Sequence, residues 1–280
     1  MLTAPLPTLA AWTAHFRAAT IPVLPTTVEE VALLRAAEER SGNVDAHLVA
    51  QSIGSDPLMT LKVLIEAARR RPPSVVTDAE TLTAALVMMG IDPFFRAFDE
   101  LSSVSEHLEG QVQAMLGLQR VIRRAYRAAN FALGFAVHRM DEDAVVMQSA
   151  ALLHDFAEML LWCHAPDLAQ RVAQMQQADH ALRSAAAQQA VLGIELPDLQ
   201  QALARLWHLP ALLVHVTDDR HANDPQSRTV MLAMRVARHT QDGWDTPWAQ
   251  AALPDDVNEI AELLTLSPAA TLRKLRELDA

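Results

Sequence analysis

Apolar residues recur along most of this chain at the three- and four-residue spacing of a helix face, and this periodicity constrains the fold more than any other feature. Three clear sets are Leu61, Leu64, Ile65, Ala68; Leu82, Ala85, Leu86, Met89; and Leu199, Ala202, Leu203, Leu206. Strand-like alternation is never sustained, and Val75-Val76 is too short to count. The chain also has only 8 glycines and one tyrosine, whereas β-rich proteins use more turns and aromatic residues. The sequence predicts an all-α, multi-helix bundle without a substantial β-sheet.

Several short motifs predict where the helices begin and end. Asp56-Pro57, Asp92-Pro93 and Ser267-Pro268 each place a capping side chain before a proline suited to the first helical turn. Thr77-Asp78-Ala79-Glu80 has the spacing of a capping box, and Gly90 then supplies a stop. Residues 110–138 contain no proline, which predicts one long helix.

The chain is acidic, with 23 basic and 34 acidic residues among 280 and a formal net charge of −11. Such a surface repels phosphate backbones and anionic lipids, so we expect no nucleic-acid partner and no membrane attachment. No apolar run reaches the ~18 residues of a membrane-spanning helix, and residues 1–16 lack the pattern of a signal peptide. Cys163 has no second cysteine to pair with. These features predict a cytoplasmic protein.

His154 and Asp155 are the strongest candidates for chemistry. Adjacent imidazole and carboxylate groups on an apolar helix are costly to bury unless both are partnered, and a divalent metal can partner both. Such a metal would activate water for phosphoester hydrolysis, but it needs further His or Asp ligands from other helices. The structural alternative is that His154 forms a hydrogen bond inside the core. For the dipeptide alone, the structural interpretation is favoured, because short motif matches have a high false-positive rate.

Four arginines form a second candidate site on the predicted long helix. Arg120, Arg123, Arg124 and Arg127 are spaced i, i+3, i+4, i+7 and would line one face, although like charges at this spacing repel. The functional interpretation is a phosphate-binding face for a nucleotide such as a cyclic dinucleotide. The structural interpretation is a solvated face paired with acidic neighbours, and it is favoured in a protein this acidic.

Five segments occur in an order that suggests a family. They are Ile21-Pro22-Val23-Leu24-Pro25, Ile53-Gly54-Ser55-Asp56-Pro57-Leu58-Met59, Ala84-Ala85-Leu86-Val87-Met88-Met89-Gly90, Leu152-Leu153-His154-Asp155 and Trp207-His208-Leu209-Pro210. Together they resemble the motifs of the HD-related output domain, HDOD, found in bacterial signalling proteins. The resemblance implies an HDOD-like domain over residues 18–240, with an N-terminal helical subdomain at 21–108 and a degenerate HD-like subdomain at 111–240. Residues 241–280 are expected to be helices packed on this body.

The departures from the related HD phosphohydrolases concern the metal ligands. Those enzymes use an earlier His, the His-Asp pair, further His residues and a late Asp. At the matching positions this chain has no histidine in residues 119–121, then Leu196, Met234 and at most His221. The resemblance therefore implies a vestigial pair, His154 and Asp155, with no catalytic residue, no metal and no cofactor.

Three functions are compatible with this sequence. The leading one is a non-catalytic regulatory module, a pseudoenzyme that acts through contacts with other signalling proteins. The second is a divergent metal-dependent phosphohydrolase or phosphodiesterase, in which His215 or His221 completes a site with His154 and Asp155. The third is a nucleotide-binding sensor that uses the four arginines. Nothing in the sequence decides whether the chain forms a homodimer.

Overall fold

The structure is a computed structural model, and it describes residues 1–71, 78–179, 181–221 and 223–279. Its α-helices are, in chain order, α1 Leu9–Ala18, α2 Pro25–Ser41, α3 Ala46–Ile53, α4 Pro57–Arg70, α5 Leu82–Met89, α6 Ile91–Ala97, α7 Val104–His107, α8 Val112–Arg139, α9 Ala144–Leu153, α10 Phe156–His164, α11 Pro166–Ala178, α12 Ser184–Leu192, α13 Leu196–Leu206, α14 Ala211–Val216, α15 Pro225–His239, α16 Pro247–Leu264 and α17 Pro268–Leu278. A single 3₁₀ turn, Asp219–His221, precedes α15. Across these residues no strand forms, and one isolated bridge joins Val23 and Ser103. The all-α prediction is confirmed.

Some predicted helix starts are confirmed and others are wrong. Asp56 caps α4 by accepting from the amides of Leu58 and Met59, and Ser267 caps α17. Asp92 is not a cap, because α6 already begins at Ile91, after Gly90, whose φ of +80° ends α5. The helix predicted from the capping-box spacing begins at Leu82 instead, where Thr81 accepts from the amide of Ala84. Thr77 and the Val75-Val76 pair lie outside the described residues.

The long proline-free helix is confirmed as α8, which runs over 28 residues. It ends at Arg139, and the next residue, Met140, has a φ of +59°, in the left-handed region that L side chains rarely adopt. A turn of this kind commonly stops a helix.

The chain divides into two compact units that are each discontinuous in sequence. Unit 1 contains residues 1–121 and 155–211, and unit 2 contains residues 122–154 and 212–280. The core of unit 1 includes the fully buried Trp12, Phe16 and Phe94, and that of unit 2 includes Phe131 and Phe135. The subdomain boundaries expected from the resemblance, 21–108 and 111–240, stay a prediction.

A buried carboxylate organises the start of unit 1. Asp56 has no exposed surface. Besides capping α4, it accepts from the amide of Leu24 at 2.6 Å and from the hydroxyl of Thr27 at 2.8 Å. Burial raises the pKa of Asp56, and these four donors act in the opposite direction. One side chain thereby joins the start of α4 to the segment that leads into α2.

The final helix of unit 2 is fixed by a half-buried carboxylate. The carboxylate of Asp279 accepts hydrogen bonds from Nε and Nη2 of Arg127 at 2.6 and 2.8 Å. It also accepts one from the indole N–H of Trp244 at 2.7 Å. Nearby, Gly134 of α8 lies so close to Leu278 that an added Cβ would be 2.5 Å from that side chain. The end of α17 is therefore held against α8.

One stretch, Ala144–His164, is long and apolar enough to cross a membrane by length and composition, with a mean hydropathy of 1.3. However, 78% of that window is buried inside the protein, and helix α9 ends before His154. A buried core segment of a soluble protein passes the same test.

Candidate functional site

The His-Asp pair lies at a break between two helices, and this corrects the prediction of a single apolar helix through it. His154 follows the last residue of α9, and its amide bonds back only three residues, to Ala151 at 3.3 Å. The carbonyl of Asp155 then accepts from the amides of Glu158 and Met159 and starts α10. No proline or glycine lies at this break, so the local sequence does not predict it.

His154 is buried and bonded to a carboxylate far away in sequence. Only 7% of its surface is exposed, and its Nε2 lies 3.2 Å from Oδ1 of Asp219, whose side chain is 52% exposed. Both residues belong to unit 2. An Nε2–H that donates to this carboxylate cannot at the same time present a lone pair to a metal. The structural interpretation of His154 stays a prediction, and the partner in this geometry is a half-exposed carboxylate rather than a core residue.

Asp219 is the site residue that sequence reasoning missed. It stands where the resemblance places a pair of histidines, at 219–221, and only His221 was considered there. The available signal was a charged residue at a position that normally holds a metal ligand. A carboxylate can hold the imidazole of His154 by a hydrogen bond without any metal.

The two histidines proposed as extra ligands contact each other and nearby carboxylates. The rings of His215 and His221 lie 4.3 Å apart. His215 Nε2 is 3.9 Å from Asp224, and His221 Nδ1 is 3.8 Å from Asp218. The amide of Ser227 holds the pKa of Asp224 below its usual value. These contacts form a partly exposed acidic and imidazole surface on unit 2.

The residues at two positions that the resemblance matches to metal ligands do not fit the metal of an HD phosphohydrolase. Met234 is 2% exposed on α15, and Leu196 is 6% exposed on α13. A thioether and an alkyl chain are not ligands for a hard divalent cation. In the described part of the chain, no three His, Cys, Asp or Glu side chains are placed to hold a metal ion. We therefore derive no hydrolytic step through a metal at this site.

The four arginines differ in exposure and in their partners. Arg120 and Arg123 are exposed, whereas Arg124 is only 7% exposed. Arg127 is committed to Asp279, and it also donates to the carbonyl of Ala237 and the hydroxyl of Thr240. The helical spacing is as predicted, but the four guanidinium groups do not form one open phosphate-binding face.

One comparison identifies a family, and the solved structures that match show a shared fold. The family model for the HDOD domain matches residues 21–223. A virulence factor from Campylobacter jejuni subsp. jejuni superimposes with a TM-score of 0.63 at 17% identity and covers 97% of this chain and 98% of its own. The MmoQ response regulator from Methylococcus capsulatus str. Bath gives 0.61 at 16%, with 88% and 98% covered. An HDOD domain protein of unknown function from Geobacter sulfurreducens gives 0.50 at 16%, with 96% and 93% covered. A search of curated proteins finds no significant match.

Proposed function

The chain belongs to the HDOD family, and on this basis we propose that it is a non-catalytic regulatory module of a signalling pathway. Its HD-like residues then hold helices in place, and its output is a contact with another signalling protein. The one observation that carries the non-catalytic part is the hydrogen bond between His154 and Asp219. It engages Nε2 of the imidazole with a carboxylate, so a metal at this nitrogen would have to displace that bond.

The neighbouring residues support the same proposal. Met234 and Leu196, the positions that the resemblance matches to HD metal ligands, are buried apolar residues, each in the core of its own unit. Filling such positions with apolar side chains stabilises the fold and removes the donors that would bind a metal.

The solved neighbours and the charge support the regulatory part. MmoQ is described as a response regulator, and the family match makes a related role reasonable for this chain. A net charge of −11 favours basic or amphipathic protein partners over nucleic acid or anionic membrane. The proposal places this protein in the cytoplasm of a bacterium.

The test combines metal analysis with hydrolysis assays. The protein is purified without chelator and without a histidine-rich tag, and its iron, manganese and zinc are measured by elemental mass spectrometry. The same sample is assayed against cyclic dinucleotides and phosphodiester substrates with each metal added. The matched control is His154→Gln, which removes the imidazole at the proposed relic site.

The proposal predicts far less than one metal per chain and no hydrolysis that depends on His154. Near-stoichiometric metal that is lost in His154→Gln would overturn it. Metal-stimulated hydrolysis abolished by the same substitution would also overturn it and would favour the phosphohydrolase alternative.

A further inference from the structure

Helix α8 carries a seam of side chains at the spacing with which two helices pack along each other. The intervals alternate between four and three residues over a length of about 38 Å at 1.5 Å per residue. The eight positions are Val112, Leu116, Gln119, Arg123, Tyr126, Asn130, Leu133 and Val137. Because α8 is one uninterrupted helix, the register of this seam follows from the helix alone.

The seam faces solvent along most of its length. Val112, Leu116 and Val137 are 67%, 53% and 60% exposed. The polar members Gln119, Arg123 and Asn130 are exposed as well, while Tyr126 and Leu133 are half-buried. Exposed aliphatic side chains on one line are stabilised when a partner covers them and removes them from water.

The seam is complementary to itself when a second copy runs in the opposite direction. Its midpoint lies between Arg124 and Ala125. An antiparallel copy centred there places Val112 opposite Val137, Leu116 opposite Leu133, Gln119 opposite Asn130, and Arg123 opposite Tyr126. The ends pair aliphatic with aliphatic, the next positions pair amide with amide, and the centre pairs a guanidinium with an aromatic ring.

We propose that α8 is the interface of an antiparallel homodimer with a two-fold axis through this midpoint. In such an interface, whenever residue i contacts residue j of the partner, j also contacts i, so each of the four pairs occurs twice. A guanidinium over a tyrosine ring is attractive, and amide side chains can donate to and accept from one another. A different protein would impose no such symmetry on α8, so the occupant that the sequence fits is a second copy.

Helix α17 covers the flank of α8 beside the seam. Arg127 is bound there to Asp279, and Gly134 lies against Leu278. Within unit 2, these contacts lie beside the seam, and Arg123, Asn130 and Val137 of the seam stay exposed. Two like charges oppose the pairing, since Arg123 of each copy lies about 4.5 Å from the other along the axis. Salt screens this repulsion and that between two acidic chains, so association should strengthen as ionic strength rises.

Cysteine cross-linking tests the pairing and its direction. The native Cys163 is buried, so introduced thiols dominate the reaction. Gln119→Cys and Asn130→Cys proteins are oxidised separately and as a mixture, and intact mass identifies each product. In the antiparallel dimer, position 119 faces 130 and is about 16 Å along the axis from its own copy, which is too far for a disulfide.

The proposal predicts a disulfide in the mixture and none in either protein alone. Sedimentation equilibrium should show a dimer, and Leu116→Glu should weaken its association by about a hundredfold or more. Leu33→Glu, at a leucine on α2 that is 64% exposed, is the control and should leave it unchanged. A monomeric protein at about 100 µM, or Gln119→Cys cross-linking to itself, would overturn the proposal. This inference is independent of the regulatory role, because metal content and hydrolysis report on that role separately.

Discussion

The carboxylate of Asp56 accepts a 2.6 Å hydrogen bond from the amide of Leu24, 32 residues earlier in the chain. The two residues belong to the first and second of the segments that resemble HDOD motifs. Because the same carboxylate caps α4, the second segment starts a helix and also fixes the first segment. These motifs are therefore joined by one buried hydrogen-bond network.

Removing this carboxylate should strongly destabilise the fold. We expect Asp56→Ala to lower the free energy of unfolding by about 3 kcal/mol or more, because several buried donors lose their acceptor at once. Urea denaturation followed by circular dichroism measures this loss. Asp45 is the matched control, since it caps α3 with one amide contact at an exposed position. Asp45→Ala should cost only about 1 kcal/mol, and equal losses in the two variants would contradict the network argument.

The ion pair between Arg127 and Asp279 should matter far more than a comparable pair on the surface. Their side chains are 16% and 13% exposed. We expect Asp279→Ala to cost about 3 kcal/mol, because it leaves a largely buried guanidinium without its carboxylate.

The control for that substitution is Asp245→Ala. Asp245 pairs with Arg276 at 3.4 Å, but its side chain is 86% exposed, so the loss should be below about 0.5 kcal/mol. Thermal and urea unfolding of both variants checks the difference. If Asp279→Ala unfolds like the wild type, α17 does not depend on this contact.

A double-mutant cycle tests the bond between His154 and Asp219. We expect the single changes His154→Ala and Asp219→Ala each to destabilise the protein, and their effects to be non-additive by about 1 kcal/mol. Non-additivity arises because either change alone already removes the shared hydrogen bond. Unfolding free energies of the wild type, both single variants and the double variant supply the measurement. Strict additivity would show that the contact contributes nothing to stability.

Local signals in the sequence predicted a large part of this fold. The caps at Asp56 and Ser267 and the length of α8 depend on residues close together in the chain, so spacing and residue type are sufficient. Asp92 shows the limit of the method. The conformation of Gly90 starts α6 two residues earlier than the Asp-Pro signal indicates.

The candidate site was less predictable because its contacts are distant in sequence. The break at His154 has no glycine or proline to mark it, and the partner Asp219 is 65 residues away. Likewise, Arg127 and Arg123 look equivalent on a helical wheel, yet Arg127 meets an aspartate 152 residues later. Such differences arise only when the chain folds and particular helices meet.

Histidine burial in unit 1 should make the protein sensitive to acid. His164, at the end of α10, is 9% exposed, and its Nε2–H donates to the carbonyl of Thr20 at 2.8 Å. The ring of His107 lies 4.9 Å from it. Burial, and then the charge that His107 carries when protonated, lower the pKa of His164 to about 4.

In the unfolded chain the pKa of this imidazole is about 6.5, so between pH 6.5 and 4 the unfolded state binds a proton that the folded state does not. The contribution of His164 to the free energy of unfolding is therefore fully present above pH 6.5. It is lost as the pH falls towards 4, by at most about 3 kcal/mol. Urea unfolding at intervals from pH 7.5 to 4.5 measures this slope. His164→Gln should flatten it, whereas His47→Gln, at an exposed histidine on α3, should leave it as in the wild type. Equal slopes for the wild type and His164→Gln would show that this imidazole does not resist protonation in the folded protein.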